Sequence, residues 1–307
     1  MKGRNKNAVN GSVALFASFL WLVSSPGETA TIKITCGAKE TIGNSLKKLK
    51  PGDTLLVSGA CSENVVISPE LNGVTLDGQG KAIINGPDTT SDAITVLGRE
   101  ITIKGFTVAG GQDGISVIRG AAAIVDGNTV QNTGRYGINL ALNSFARIIN
   151  NTIQNNPSAG IQVAGSSFAW IGFLIRADKT PRTNIVQNNG GVGILVERSS
   201  SARLVGNAIR GNKGGGVRVQ AVSHGEISSN TIDGNGRDGI AVIGNSGVFL
   251  GREKGTDMFS MPNTTTAPNT GFGIRCALGG YAHGRLGTLS GTSGAKEFPA
   301  NCIDELM

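Results

Sequence analysis

One stretch of the chain holds the residues best suited to acid–base chemistry. His224 and Glu226 are two positions apart, and Asp233 and Asp238 follow shortly after them in the chain. A histidine beside a carboxylate can take up and release a proton near neutral pH. These four residues are therefore the catalytic candidates. The alternative interpretation is a solvated polar edge that carries no chemistry.

A second, overlapping set of side chains is suited to binding. Trp170 and Phe249 are large aromatics in a chain with only 5% aromatic residues, and an aromatic face can stack on a sugar ring. Arg203, His224 and Glu226 can hydrogen-bond hydroxyl groups or pair with the carboxylates of uronic acids. These five residues are the candidate ligand-binding residues. In the alternative interpretation, the aromatics only pack loops against the body of the protein.

The four cysteines lie near the two ends of the chain. Cys36 and Cys61 belong to the first part of the sequence, Cys276 and Cys302 belong to the last part, and the long middle segment has none. An even number of cysteines in an exported chain indicates disulfides, and four cysteines allow three pairings. The positions favour the two local pairings, Cys36 with Cys61 and Cys276 with Cys302.

Neither a metal nor a cofactor is expected. The chain has two histidines, His224 and His283, and four methionines that do not cluster. No Cys-x-x-Cys pair accompanied by histidines suggests a zinc site.

Composition and the amino terminus predict an exported, non-globular protein. Glycine accounts for 47 of 307 residues, and charged residues make up only 16%, which is typical of a solenoid with thin aliphatic rungs and tight turns. Residues 1–30 resemble a signal peptide, with Lys2, Arg4 and Lys6 before the apolar run 13–23. The cleavage position stays open. After cleavage we expect a secreted or periplasmic protein that does not span the membrane.

The formal net charge of +7 could attract an acidic polysaccharide or an anionic lipid. No cluster of lysine and arginine with interleaved aromatics suggests a nucleic acid partner. The expected partner is therefore a polysaccharide or another cell-envelope component, and the sequence leaves the oligomeric state open.

An internal repeat defines the architecture. The unit is Asn-x-(Ile/Val), a Gly/Asn turn, and Gly-(Ile/Val)-x-(Val/Leu), and the spacing from its asparagine to its glycine is constant. Isoleucines recur at equal intervals at positions 115, 138 and 161, a period of about 23 residues that lies in the range of solenoid repeats. Two later intervals are longer, which indicates insertions. The repeated asparagines are Asn128, Asn151, Asn184, Asn207 and Asn230.

Each repeat predicts short strands that must stack on the next repeat. Ile161 and Val163 alternate with Gln162, and this period of two is typical of a half-buried strand. One thin coil cannot bury its aliphatic face alone, so identical positions lie above one another in successive coils. The repeated asparagines are then expected to form a buried ladder of side-chain amides. By the same stacking, Arg203 lies beside Glu226 and Arg210 beside Asp233, as exposed ion pairs.

The chain resembles the right-handed parallel β-helix repeat proteins of the pectin-lyase-like fold over residues 31–307. Gly-Asp-Thr-Leu-Leu-Val at 52–57, Thr-Leu-Asp-Gly at 75–78 and the Asn-Thr-Ile units carry the resemblance. It implies an all-β solenoid and says little about activity. Polysaccharide enzymes on this fold cluster acids on one exposed face, and the sequence lacks the Asp-Pro-His-Asp of mannuronan epimerases, the Gly-His-Gly of polygalacturonases and an acidic calcium cluster of the pectate-lyase kind.

The expected organisation follows from the repeat. An N-terminal cap with a short helix covers residues 31–52, the β-helix covers 53–287, and an irregular C-terminal cap covers 288–307. Insertions near 166–182 and 245–262 leave the same corner and are expected to form two lips of a lateral groove that holds any ligand.

The sequence favours an exported, non-catalytic protein that binds a glycan or an envelope component. The first alternative is a divergent polysaccharide lyase, hydrolase or epimerase that acts on an acidic polysaccharide. The second is a periplasmic assembly factor, since some copper-enzyme maturation proteins look similar. Whether the protein is an enzyme is left open.

Overall fold

The chain forms a right-handed parallel β-helix of about 12 turns. The computed structural model describes residues 29–37, 40–251 and 257–307, so nearly all of the expected signal peptide lies outside the described residues. Each coil contributes up to three short strands, which stack into three faces called face 1, face 2 and face 3. No helix among the described residues has the length and apolarity needed to cross a membrane.

Face 1 is the longest stack and is parallel throughout. Its strands, numbered in chain order, are β1 (Thr31–Thr35), β2 (Thr54–Ser58), the first part of β5 (Thr75–Gly86), the first part of β7 (Ile101–Gly110), β9 (Ala122–Asp126), β12 (Phe145–Ile149), β15 (Phe168–Ile171), β18 (Ser201–Val205), β21 (His224–Ser228), β24 (Gly247–Leu250), β26 (Tyr281–Gly284) and β28 (Ile303–Leu306).

Faces 2 and 3 complete each coil. Face 2 contains β3 (Ala60–Ser62), the second parts of β5 and β7, β10 (Thr129–Gln131), β13 (Thr152–Gln154), β16 (Ile185–Gln187), β19 (Ala208–Arg210) and β22 (Thr231–Asp233). Face 3 contains β4 (Val65–Ile67), β6 (Ile94–Val96), β8 (Ile115–Ile118), β11 (Ile138–Ala141), β14 (Ile161–Val163), β17 (Ile194–Val196), β20 (Val217–Gln220), β23 (Ile240–Ile243), β25 (Phe272–Ala277) and β27 (Gly294–Glu297).

The core lies inside the coil, where aliphatic side chains of all faces meet. Ala146 and Ile148 on face 1 and Ile161 and Val163 on face 3 have no exposed surface. On face 1 the buried pair flanks the half-buried Arg147, following the strand period of two. The sequence prediction of these inward positions is confirmed.

Asparagine ladders hold one corner of the solenoid. The Nδ2 atom of Asn184 donates to Oδ1 of Asn207 at 2.9 Å, and Nδ2 of Asn151 donates to Oδ1 of Asn184 at 3.0 Å. All five predicted asparagines take part, and Asn263 extends the ladder by one rung. A second ladder, which the sequence analysis did not identify, consists of Asn156, Asn189, Asn212, Asn235 and Asn269.

Both ends of the solenoid are closed by short segments and disulfides. The helix α1 (Ile42–Leu46) begins at the N-cap Thr41 and buries Ile42 and Leu46 over the first coils. The disulfide Cys36–Cys61 lies beside this helix, and Cys276–Cys302 joins β25 to the chain end. At the carboxyl end, β27 and β28 still pair in parallel with β25 and β26.

Candidate functional site on face 1

Two outward rows of face 1 bring the predicted binding residues together. The strand register stacks Arg147, Trp170, Arg203, Glu226, Phe249 and His283 in successive coils. The adjacent row consists of Phe145, Phe168, Ser201, His224, Gly247 and Tyr281. All five predicted ligand-binding residues therefore lie on one face, because alternating strand positions repeat from coil to coil.

The two insertions touch each other instead of forming separate lips. The extra residues begin after Ile171 and after Leu250, so Trp170 and Phe249 belong to regular strands. The rings of Phe173 and Phe259, one from each insertion, meet edge to face at 5.1 Å. Lys179 Nζ lies 3.4 Å from a carboxylate oxygen of Asp257. The expected open groove with two lips is therefore wrong, because buried apolar contacts close that space.

Trp170 is a packing residue of this contact. Its ring stacks on Phe173 at 5.3 Å and meets Phe145 edge to face at 5.5 Å. The guanidinium of Arg147 covers the same ring at 4.8 Å. Trp170 therefore packs the first insertion against the stack, as the packing alternative predicted for this residue, whereas Phe249 stays exposed.

A cleft of about 300 Å³ lies on the carboxyl-terminal side of the insertion contact. We call it the face-1 cleft, and the side chains that define it are Arg203, Glu226, Phe249, Phe259, Ser260 and His283. Arg203 Nε lies 3.2 Å from Glu226 Oε2, while its guanidinium rests 5.0 Å from the centre of the Phe259 ring. Phe249 is 44% exposed. The cleft thus combines an exposed aromatic surface with the Arg203–Glu226 ion pair and with His283, whose Nδ1 atom lies 2.9 Å from Glu305 Oε2.

His224 lies behind Phe249, outside the lining of the cleft. Its Nδ1 atom is 3.2 Å from the Tyr281 hydroxyl, and its ring contacts Phe249 at 4.8 Å. Tyr281 reaches across the intervening coil because Gly247 has no side chain there; a Cβ atom would lie 1.9 Å from the tyrosine ring. Burial lowers the pKa of His224, and the Glu226 carboxylate opposes this by raising it. The effect of burial is the larger, so the imidazole favours its neutral form.

The four catalytic candidates are not brought together. Asp233 lies on face 2, where its carboxylate accepts hydrogen bonds from the backbone and hydroxyl of Thr266. Asp238 lies at the start of face 3 and accepts from the backbone N–H of Phe272 at 2.9 Å. The predicted cluster is wrong for these two residues, because one coil distributes them over different sides of the solenoid. His224 and Glu226 alone share a face.

The predicted Arg210–Asp233 ion pair is also absent from the described contacts. The two residues are neighbours in register, but Arg210 Nε donates to Gln187 Oε1 at 2.9 Å. The Asp233 carboxylate instead accepts hydrogen bonds from Thr266, which follows the second insertion. The Arg203–Glu226 pair, in contrast, is confirmed.

Sequence reasoning missed Tyr281, His283 and Phe259 as members of this site. Tyr281 and His283 repeat the spacing of His224 and Glu226, so that outward alternation was a usable signal. The second insertion precedes these two residues and lengthens their repeat beyond 23 residues. A constant period therefore does not predict which residues of the preceding coil they pair with. Phe259 lies within that insertion, where no repeat predicts its position.

Comparison with known proteins supplies a family. A family model described as periplasmic copper-binding protein (NosD) matches residues 52–250. A cell surface glycoprotein of Methanothermus fervidus is 32% identical over 82 residues, a segment that covers 26% of this chain and 13% of that protein. The match thus spans a small part of that relative. The family, this relative and the two disulfides fit an exported protein.

Solved structures show the same architecture. The pectate lyase Pel9A superposes with a TM-score of 0.59 at 12% identity, covering 90% of this chain and 78% of the lyase. The A-module of the Azotobacter vinelandii mannuronan C-5 epimerase AlgE6 gives a TM-score of 0.52 at 14% identity and covers 92% of this chain and 91% of the module. At these identities the likeness shows the fold alone.

The described residues do not fit a copper centre. Copper prefers thiolate, thioether and imidazole ligands, but His224 and His283 each pack edge to face against the Phe249 ring, and neither belongs to a group of three His, Cys, Asp or Glu ligand atoms among the described residues. The one group of three ligand-type residues found in the described ranges is Cys36, Cys61 and Glu63. Its two sulfurs form a disulfide and offer no thiolate.

Proposed function

This chain belongs to the NosD family of periplasmic copper-binding proteins, and we propose that it is an exported β-helix that binds a saccharide in the face-1 cleft without altering it chemically. The observation that carries the proposal is the exposed Phe249 ring beside the Arg203–Glu226 pair. This combination of an apolar surface with a few polar groups is typical of ligand sites.

The chemistry of the cleft suits a sugar. The exposed ring of Phe249 offers an apolar platform for the C–H face of a pyranose, and Phe259 forms a second aromatic wall. Glu226 is half exposed and can accept hydrogen bonds from hydroxyl groups, while Arg203 can donate to hydroxyls or a carboxylate. A volume of about 300 Å³ lies at the small end of ligand sites. We therefore expect one or two sugar units of a longer chain to enter it.

The arrangement favours binding over catalysis. Glycoside hydrolysis by the common mechanisms needs two carboxyl groups, about 5–9.5 Å apart. Among the described residues that line the cleft, Glu226 is the one carboxylate, and it is paired with Arg203. His224 and Tyr281 lie behind Phe249 and do not line the cleft. A lyase or epimerase that used this pair would need Phe249 to move first.

The family match favours a second candidate function, a periplasmic assembly factor. In that case the occupant of the cleft is a side chain of a partner polypeptide, and the aromatic walls hold it by the same contacts. The glycan experiment below separates the two, because only the first candidate predicts a saccharide ligand.

The test uses a glycan array of neutral and acidic oligosaccharides with the wild-type protein, Phe249→Ala and Phe168→Ala. Phe168 is a matched control, because it is 39% exposed on the same face but lies outside the cleft. We expect Phe249→Ala to weaken binding of the selected glycan at least 10-fold, equal to about 1.4 kcal/mol, and Phe168→Ala to leave it unchanged.

Product analysis on the bound polymer checks the second half of the proposal. We expect no new chain ends, no unsaturated sugars and no epimers after prolonged incubation. Turnover that disappears in Glu226→Gln would show an enzyme instead. An array without any ligand, or equal losses in Phe249→Ala and Phe168→Ala, would contradict saccharide binding in the cleft.

A further inference from the structure

A second depression follows the corner where each coil passes from face 2 to face 3. It consists of three adjoining cavities of about 470, 240 and 260 Å³. The first two share Arg218 and Arg237, and the last two share Arg237, Asp238 and Arg275. We call the combined feature the corner groove. It shares no lining residue with the face-1 cleft.

The floor of the corner groove is bare backbone. Glycines occupy the corner in successive coils, and a Cβ on Gly214 would lie 2.6 Å from the carbonyl carbon of Gly191, while one on Gly236 would lie 2.6 Å from the carbonyl oxygen of Lys213. Tight stacking therefore requires glycine at these positions. The cavities that follow this corner extend from Ser158 to Ser293. These residues are five coils apart, roughly 24 Å at the spacing of parallel strands.

Three arginines surround the central cavity. Arg218 and Arg275 occupy the same outward row of face 3, two coils apart, with Ala241 between them. This places their backbones roughly 10 Å apart. The small side chain of Ala241 leaves a gap that the 240 Å³ cavity fills, and Arg237 projects from the corner of the middle coil.

The positive charge of this groove is only partly balanced. Arg275 pairs with Glu297 at 2.6 Å. No carboxylate in the described ranges lies within ion-pair distance of Arg218 or Arg237. The Nε atom of Arg218 is buried and lacks a hydrogen-bond partner among the described residues.

The surrounding acids are held by other groups. Asp238 accepts a hydrogen bond from the backbone of Phe272, and Glu197 accepts from the side chains of Gln162 and Gln220. Burial, and then repulsion from Arg237, lower the pKa of Arg218, while Asp238 and Glu197 raise it by smaller effects. An anion in the groove would offset this desolvation and repulsion.

We propose that the corner groove binds a linear polymer that carries carboxylate groups, with Arg218 and Arg237 as the principal contacts. Guanidinium groups match carboxylates with paired N–H donors. The adjoining cavities of the groove span several coils, which suits a chain rather than a single small anion. This site goes beyond the saccharide function of the face-1 cleft, and it can be tested independently of it.

The probe is sodium polygalacturonate, with neutral dextran of similar length as its control. We expect the wild-type protein to bind polygalacturonate and not dextran, with an affinity that falls as salt is added. Arg237→Gln and Arg218→Gln should each weaken binding at least 10-fold. Arg119→Gln is the matched control, because Arg119 is an exposed arginine on the corner between faces 3 and 1. Thermal melts verify that each variant is folded. If Arg218→Gln does not fold, the result for Arg237→Gln decides the test, because Arg237 is exposed.

Several outcomes would overturn the proposal. One is that dextran binds as strongly as polygalacturonate. Another is that Arg119→Gln loses as much affinity for polygalacturonate as Arg237→Gln does. A third is that the protein binds phosphatidylglycerol vesicles but not polygalacturonate. Phe249→Ala should leave polygalacturonate binding intact. If Phe249→Ala abolishes it instead, the polymer lies in the face-1 cleft and not in the corner groove.

Discussion

At the scale of single residues, the corner between faces 3 and 1 requires a backbone conformation that most side chains avoid. In successive coils this position has positive φ, and it is occupied by Gly120, Asn143, Ser166, Ser199, Val222, Asn245 and Gly279. Glycine and asparagine adopt the left-handed region with little cost, whereas a β-branched residue there is an outlier. Val222, at φ +60°, is the β-branched member of this row, and it is 64% exposed.

Val222→Asn should therefore stabilise the protein. Asparagine removes a backbone penalty of about 1 kcal/mol, within the usual cost of left-handed backbone, and the exposed valine makes little packing contribution. Chemical denaturation would measure the change in the free energy of unfolding. Val66→Asn is the control, because Val66 is 54% exposed but lies in β4, where valine is favoured. A decrease in stability for Val222→Asn would show that the valine is held there by contacts.

At the scale of elements, the asparagine ladder determines how the coils are joined at the corner between faces 1 and 2. Asn184 is fully buried; its Nδ2 donates to Ile148 O and to Asn207 Oδ1, and its Oδ1 accepts from the backbone and the side chain of Asn151. One side chain thus connects three coils. Its polar atoms have no access to water, so each bond must be replaced if the amide is lost.

Asn184→Leu should destabilise the protein by about 1–3 kcal/mol, because buried partners in the adjacent coils lose their hydrogen bonds. The melting temperature and the denaturation midpoint would report the loss. Gln187→Leu is the comparison, since Gln187 belongs to a partly exposed row of amides on face 2 where water can replace the bond. An unchanged melting temperature for Asn184→Leu would refute the structural role of the ladder.

The repeat made the ladder and the inward positions predictable, because a constant period stacks equal positions in successive coils. The second ladder had the same kind of signal, since Asn156, Asn189, Asn212 and Asn235 each follow a first-ladder asparagine at one constant spacing. The site was less predictable. Trp170 and Phe249 were correctly placed on one face, but their separation depends on Phe173 and Phe259 from the insertions. Those contacts arise from segments that do not repeat, so no spacing reveals them.

At the scale of the whole molecule, the solenoid is closed by covalent links that each act on one end. Cys36–Cys61 ties the residue after β1 to β3 and so closes the loop that carries the capping helix, and Cys276–Cys302 ties β25 to the residue before β28. In a repeat protein each coil contacts mainly its neighbours, so stability is approximately a sum of local terms. The effect of each disulfide should therefore stay near its own end.

The double variant Cys276→Ser, Cys302→Ser should release the carboxyl-terminal coils selectively. Amide hydrogen exchange should rise in β25 to β28 and stay near the wild-type rate in β11 to β18, which lie several coils away. The corresponding pair of substitutions at Cys36 and Cys61 is the control and should affect β1 to β4 instead. A uniform rise along the whole chain would show that the solenoid unfolds as one cooperative unit.

The contact between the two insertions has a mechanical consequence. A stack of coils in which each coil contacts only its neighbours can separate between any two coils. The Phe173–Phe259 and Lys179–Asp257 contacts connect coils three layers apart, and so clamp the four layers of β15, β18, β21 and β24 into one block. Under tension along its axis, the protein should then break above or below this block, leaving Arg203, Glu226, Phe249 and Phe259 of the face-1 cleft together on the segment that yields last.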